Sequence, residues 1–331
     1  MTDSAKLQVS VPGGCVVCEC PSAYCEYSVR DLIWDHPTVY EFVRCQQCGH
    51  GSLHPQPSPS QLQELYAGLY TQQKLDLMIR IGAGRFDRSL QRGRIRAIKS
   101  AMSGLCVSSM LDVGCGVGFF VQRLAQAFPK AVATGIEVAG PAAQQARRLC
   151  GDAVEIIEQS FLDSTLAPQS IDVLCMNHLL EHLSVPSVHM QRAAEMVRCG
   201  GIIVIEVPQL HGWARTILGP WFWCHLPPQH LHLYSVEGLR HLLSTNGFDE
   251  IVNLSTTGYP FNITVGFVMY VRHTVGSRSP RSQEWWIRAP AVLVGLLLLP
   301  MVVCLDVLAG FFLNRTRGDI LRIVARRSSR K

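Results

Sequence analysis

Three glycines spaced two apart, Gly114, Gly116 and Gly118, constrain what this chain can fold into more than any other feature. They follow an apolar run over 110–113 that carries one acid, Asp112, and they lead into an apolar helical pattern over 119–128. That order reads as strand, tight turn and helix N-terminus. Such a turn lets backbone approach a bound ligand, because glycine has no Cβ and tolerates positive φ. The chain downstream keeps alternating. Strands are predicted at 109–113, 131–136, 153–157, 171–176 and 201–207, with helices at 119–128, 140–150 and 186–198. Gly200-Gly201 is expected to stop the last of these helices. A helix at 236–246 then ends at Asn246-Gly247, ahead of a strand at 250–256. The βαβα order predicts an α/β domain, a parallel sheet with helices on both faces.

In such a sheet, ligands bind at the carboxyl ends of the strands. Four groups fall there: Asp112 with the glycine turn, Glu137 closing the second strand, the Phe161/Asp163 pair after the third, and Asn177-His178 after the fourth. An acid ending strand two suits both hydroxyls of an unphosphorylated ribose, and an apolar residue beside an acid suits an adenine. Phe119 stands where a dinucleotide fingerprint would carry its last glycine, so close pyrophosphate packing is disfavoured. The bland alternative leaves Glu137 and Asp163 as solvated loop acids.

Upstream, Cys15-x2-Cys18 and Cys45-x2-Cys48 flank a segment with alternating apolar residues. Two such knuckles suit a tetrahedral, four-thiolate structural zinc site, closed to catalysis because no coordination position stays open. Four unrelated buried cysteines are the alternative, and Cys20 and Cys25 complicate the first knuckle. The chain has 13 cysteines, and the first ten residues lack an apolar signal-peptide core, so a reducing, cytoplasmic setting is expected. A proline-rich linker over 51–60 leads to helices over 61–103, with Ser60 as a candidate cap. Arg85, Arg88, Arg92, Arg94 and Arg96 read as a solvated basic face. The net charge of +5 is mild, and the knuckles lack a dense basic and aromatic surface, so no nucleic-acid partner is expected.

The sequence resembles the class I S-adenosylmethionine-dependent methyltransferases. The matching motifs are Leu-Asp-Val-Gly-Cys-Gly-Val-Gly (111–118), Gly-Ile-Glu (135–137), Ile-Asp-Val-Leu-Cys-Met-Asn-His-Leu-Leu-Glu-His-Leu (171–183), Gly-Gly-Ile-Ile-Val-Ile-Glu-Val-Pro (200–208) and Pro-Pro-Gln-His-Leu-His-Leu-Tyr-Ser (227–235). The paired knuckles, Pro-Gln-Pro-Ser-Pro and a Tyr66/Tyr70 helix resemble the subgroup with a zinc-ribbon-like module ahead of the catalytic domain. The resemblance implies a Rossmann-like, seven-stranded methyltransferase sheet. It implies a zinc-ribbon-like module over 1–54, linker and helices over 55–103, and the cofactor-binding domain over 104–258. Asp112, Gly114 and Gly116 would line the methionine part of S-adenosylmethionine, Glu137 the ribose, Phe161 and Asp163 the adenine. Asn177 and His178 would sit beside the methionine end, close to the transferred methyl. Placing nucleophile and methyl group in line supplies most of the rate of such a transfer.

The acceptor side is carried by two clusters. One is His178-x-x-Glu181-His182. Ubiquinone-type O-methyltransferases and a small-RNA-end methyltransferase group resemble it with Glu-x-x-Glu-His around a divalent metal. With His178 in the first position, a metal site, a general base and a pocket-shaping turn all stay open. The other is the aromatic and histidine-rich stretch 221–234, where His230 is the first choice of base.

Residues 289–305 carry no charge, and the apolar run resumes after Asp306. The tail over 319–331 contains a final sheet strand, which returns the chain to the side it left. Pro290, Pro300 and Asp306 suit a broken, hairpin-like insertion over 259–318, with Trp285, Trp286 and flanking Arg278, Arg281, Arg288, Arg315, Arg317 and Arg322 as interfacial anchors. A re-entrant or in-plane membrane anchor is expected, with a true span or a buried helix as alternatives. These features point to O-methylation of a small or lipid-linked acceptor at the inner membrane face. A nicotinamide-dependent oxidoreductase and a non-catalytic zinc-ribbon interaction protein are the competing readings.

Overall fold

The computed structural model describes residues 8–10, 14–31, 38–58, 60–62, 64–65, 85–259, 261–276 and 285–328. The Tyr66/Tyr70 helix and the anchors Arg278 and Arg281 lie outside the described residues. So do the side chains of Arg85, Trp285, Trp286, Arg288 and Arg315.

The N-terminal part is a small antiparallel sheet of β1 (Gln8–Ser10), β2 (Ser22–Arg30), β3 (Val39–Cys45) and β4 (Gly51–His54). Val29, Tyr40, Phe42 and Leu53 bury one apolar cluster between these strands. The knuckle turns precede β2 and join β3 to β4, each closed by backbone bonds such as Gly49 N–H to Cys45 O at 3.1 Å. In the segment beyond β4 the helix start is fixed by Ser58 rather than Ser60. Its Oγ accepts from Gln61 N–H at 3.3 Å, and Gln61 Oε1 accepts from Ser58 N–H at 2.8 Å, a reciprocal capping pair.

Helix α1 (Arg85–Ala101) leads into the large sheet. In chain order come β5 (Ser109–Val113), α2 (Phe119–Ala127), β6 (Val132–Ile136), α3 (Gly140–Cys150), β7 (Glu155–Ile157), β8 (Ile171–Asn177), α4 (Pro186–Met196) and β9 (Val197–Pro208). They are followed by α5 (Trp213–Leu218), β10 (His232–Leu233), α6 (Val236–Ser244), β11 (Glu250–Thr257), α7 (Asn262–Gly276), α8 (Trp285–Arg317) and β12 (Ile320–Arg326). The seven strands lie in the order β11-β12-β9-β8-β5-β6-β7, with β12 antiparallel to both neighbours. This is the expected Rossmann-like methyltransferase sheet, with the tail as the late-inserted strand. Strands covered on both faces read as continuous apolar runs, and Val173 to Met176 are fully buried. Helix α4 stops at Met196, four residues before the glycine pair. Gly200 and Gly201 instead lie inside β9, where the pairing with β8 shifts register.

Two findings depart from the expected layout. Strand β10 pairs with β4, so a segment from the large domain completes the small sheet. The C-terminal apolar segment is not broken at Pro300, because α8 runs unbroken from 285 to 317. The hairpin is made by α7 packed on α8, and both helices are rooted at one edge of the sheet, beside β11 and β12. Among the described residues one stretch, Leu297–Asn314, is long and apolar enough to cross a membrane, and only 6% of it is buried.

Candidate functional site

The glycine turn sits at the carboxyl end of β5. Gly114, Gly116 and Gly118 have φ of 70°, 54° and 91°, so the sequence needs glycine here for backbone reasons. A Cβ on Gly116 would meet no atom within 4 Å, which leaves open space over the turn. Glu137 closes the cradle from β6. Its Oε2 accepts from Gly116 N–H at 2.8 Å and its Oε1 from Ala139 N–H at 2.9 Å. Burial pushes its carboxyl pKa up, against those N–H groups. Lone pairs remain on both oxygens for the two hydroxyls of a ribose.

Asp112 and Asn177 stand side by side at the ends of β5 and β8, with Asn177 Nδ2 at 3.4 Å from Asp112 Oδ1. Burial pushes the Asp112 carboxyl up to about 7. Asn177 Oδ1 is buried without a partner, a polar atom that a bound group would satisfy. The open turn, the orphaned amide oxygen and the buried acid fit the methionine and ribose parts of S-adenosylmethionine. Phe161 does not stand open: it is packed into the main core with Leu111 and Ile136, while Leu162 and Asp163 of the same turn are exposed.

A buried charge network backs this cradle. Glu206 of β9 is fully buried between two arginines. Arg94 donates to it from Nε at 2.9 Å and Arg322 from Nε at 2.7 Å. Burial disfavours its charge, but the two guanidiniums and His178 hold its carboxyl well below the ordinary range. Arg94 is therefore no part of a solvated face: helix α1 turns it inward, over the Phe120 ring at 5.3 Å. His178, at φ 52°, lies between Glu181 (Nδ1 to Oε1, 3.1 Å) and Glu206 (Nε2 to Oε1, 3.4 Å). Burial opposes its charge, yet the two carboxylates outweigh burial and push the imidazole up to about 9. At neutral pH it is a cation, not a vacant proton acceptor.

Beyond His178 the acceptor-side histidines gather. The donor atoms of Glu181, His182 and His230 lie within 4.8 Å of one another. His182 Nδ1 bonds the Gln229 carbonyl at 3.0 Å, and His230 Nδ1 the Cys224 carbonyl at 2.7 Å. Glu181 Oε2 is buried without a partner. Burial, with His182 beside it, lowers the His230 pKa to about 3, so His230 is neutral. The trio that converges is thus 181, 182 and 230, while His178 turns toward Glu206. Two imidazoles and an orphaned carboxylate oxygen suit a borderline divalent cation better than magnesium.

In the N-terminal module Cys15, Cys18, Cys45 and Cys48 also place their sulfurs within 4.8 Å of one another, with Cys15 to Cys48 at 3.7 Å and Cys18 to Cys45 at 3.5 Å. Thiolates tetrahedrally arranged at ~2.3 Å from zinc sit about 3.8 Å apart, so the set fits that ion. Cys20 and Cys25 stand outside it.

The sequence reading missed Glu206 and Tyr259, and it placed Arg322 among the interfacial anchors, whereas Arg322 is buried against Glu206. Glu206 carried a visible signal, a lone acid in the apolar run Ile-Ile-Val-Ile-Glu-Val, which a buried strand tolerates only when paired. Tyr259 had none. Its hydroxyl lies 3.4 Å from His178 Nε2, and its ring packs on Trp223 at 5.1 Å, contacts made across the fold.

Residues 84–253 match the profile of a family described as a methyltransferase domain. A ubiquinone biosynthesis O-methyltransferase of Histophilus somni is 25% identical over 184 residues, covering 52% of this chain and 76% of that protein. A trans-aconitate 2-methyltransferase of Rhodopseudomonas palustris is 23% identical over 117 residues, covering 34% of this chain and 43% of that protein. Among solved structures, a SAM-dependent methyltransferase of Archaeoglobus fulgidus aligns with a TM-score of 0.46 at 16% identity, covering 72% of this chain and 94% of that one.

Proposed function

The chain belongs to the S-adenosylmethionine-dependent methyltransferase family, and from that premise we propose that it methylates an oxygen of a small, lipid-linked acceptor at the cytoplasmic face of a membrane. One observation carries the reading. Tyr259, at the root of the apolar hairpin, reaches His178 at 3.4 Å, and Trp223 of the acceptor loop donates to Asn262 Oδ1, at the start of α7, at 2.7 Å. The surface that would meet lipid and the side of the site that would meet the acceptor are therefore one continuous structure. Leu297, Phe311 and Phe312 stand about 70% exposed or more on α8, an apolar area too large to leave in water. The O-methyltransferase named among the relatives supports oxygen as the acceptor atom.

The cofactor supplies an electrophilic methyl group on a sulfonium. Asp112, Asn177, Gly114 and Gly116 would hold its methionine end, Glu137 its ribose, and Asp163 would lie near its adenine rim, with Phe161 forming the floor from within the core. His178, held as a cation by Glu181 and Glu206, donates hydrogen bonds rather than accepting a proton. Glu181, His182 and His230 would hold a divalent cation, which would make an acceptor hydroxyl more acidic. Without it, the Nε2 lone pair of the neutral His230, beside the Glu181 carboxylate, would accept a hydrogen bond from the acceptor hydroxyl. The four-cysteine module would hold structural zinc.

Full-length protein incubated with radiolabelled S-adenosylmethionine and membrane lipid extract tests the reading. Label is expected in a lipid fraction, and the protein is expected to float with anionic liposomes. Label confined to water-soluble products, or protein that stays below the liposomes, overturns it.

A further inference from the structure

The pairing of β4 with β10 carries the cysteine module directly to the acceptor side of the site. Leu53 of β4 donates its N–H to Leu231 O at 2.9 Å, and Leu231 donates its own N–H to Glu181 O at 2.7 Å. Backbone bonds thus run from the module, through the neighbour of His230, to Glu181.

A side-chain path runs beside them. His50, two residues beyond Cys48, places Nε2 3.1 Å from His232 Nδ1, and His232 Nε2 lies 3.0 Å from the Leu183 carbonyl. A carbonyl accepts and never donates, so His232 carries its proton on Nε2 and its Nδ1 is a lone pair. His50 must then donate from Nε2, which leaves its own Nδ1 as a bare acceptor. That atom is the one buried without a partner. One tautomer of each ring accounts for every contact. Leu183 ends the short turn Leu180–His182, so the His232 bond clamps the residues that carry Glu181 and His182. Tyr234 clamps the same turn from its other end, its hydroxyl donating to Leu180 O at 3.1 Å. Ser235 returns to the knuckle, its Oγ donating to Cys48 O at 2.8 Å.

We propose that His50 and His232 are positioning residues for Glu181, His182 and His230, so that the four-cysteine module is a structural arm of the acceptor side of the site. His50 reaches the three through its bond to His232. It acts by fixing the tautomer and tilt of His232, as outer partners orient the groups that meet a ligand. The proposal rests on the reading of that side as the place where the acceptor is held.

Full-length protein with 15N-histidine, in detergent micelles, tests it by long-range proton–nitrogen correlation. Wild type is expected to show both His50 and His232 protonated on Nε2. His50→Leu removes the donor and should move the His182 and His230 resonances. It should also lower kcat for methyl transfer to the lipid extract by ~10–100-fold, with cofactor affinity unchanged by calorimetry. His50→Gln keeps an N–H at the same reach and should restore most of both. Unmoved His182 and His230 resonances in a His50→Leu protein that still binds cofactor overturn the proposal. So does an Nδ1-protonated His50 or His232 in wild type, a result that needs no variant to fold. If wild type never labels lipid, the acceptor reading fails on its own, and the resonance shifts still decide whether the module positions the turn.

Discussion

At the scale of single residues, the cradle and the charges behind it obey different rules. Gly116 faces open space at φ 54°, so Gly116→Ala meets no clash in the free protein. Its cost there is the backbone strain alone, about 1–2 kcal/mol. The new methyl group stands where the cofactor would lie, and calorimetry is expected to show affinity weakened by roughly tenfold or more, since each ~1.4 kcal/mol is a factor of ten. Asp112 ties the site to pH. Its folded pKa of about 7 lies above the ordinary value of 3.8, so the folded state holds this proton more tightly than the unfolded chain. Stability from this group is therefore fully present below about pH 4 and falls as pH rises toward 7, a trend that Asp112→Asn should flatten in thermal melts. Cofactor affinity should run the other way, rising as the carboxyl ionises to meet the ammonium of the methionine part. Glu206 is the residue whose loss should hurt the fold most. Glu206→Gln leaves two buried guanidiniums facing a neutral amide, and chemical denaturation is expected to register a loss of ~3–5 kcal/mol. The glycines, Asp112 and Glu137 were legible in the sequence because the backbone turn and the strand ends announce them. The partners Arg94, Arg322 and Tyr259 were not, because each acts across more than 80 residues of chain.

At the scale of elements, the hairpin of α7 and α8 shows how an apolar helix is registered on its partner. Asp306 is 3% exposed inside an otherwise apolar stretch, and its Oδ2 accepts from Thr264 N–H at 2.7 Å. That bond satisfies an N-terminal donor of α7, which no residue within the helix could satisfy. Asp306→Ala should leave it open at a cost of ~1–3 kcal/mol, read as faster amide exchange over the first turn of α7 with the large sheet unchanged. Asn314 and Asn262 do similar service at the root. Trp213 Nε1 donates to Asn314 Oδ1 at 2.8 Å, and Asn262 Nδ2 donates to Asp319 Oδ2 at 2.7 Å. Asn262 and Asn314 therefore fasten the hairpin to the acceptor loop, to α5 and to Asp319 just before the last strand, while Asp306 ties its two helices together. Apolar content alone predicted the segment and its return. Pro290, Pro300 and Asp306 suggested a break within it, which the long helix does not make. A proline inside a helix costs an internal hydrogen bond, yet the helix continues through Pro300.

At the scale of the whole molecule, the small sheet, the large sheet and the hairpin meet around Glu181. Removal of the expected zinc should act on all of them. Chelator is predicted to lower the melting temperature and to release about one zinc per chain, and Cys48→Ser should reproduce the effect. Retention of the full melting temperature after complete metal removal would contradict a structural role. The sequence by itself determined the alternating α/β order, the placing of Asp112, Glu137 and Asn177 at the strand ends, the four-cysteine cluster and the apolar segment with its returning strand. Each is written in local spacing: period, turn chemistry, or ligand pairs three residues apart. Only the tertiary structure decided which histidine joins Glu181 and His182, that His178 is held as a cation, that Arg94 faces inward, and that β10 completes the module's sheet. Those outcomes depend on which distant groups share a buried volume, where a charge must find a partner and a hydrogen-bond donor an acceptor, and chain spacing carries no record of that.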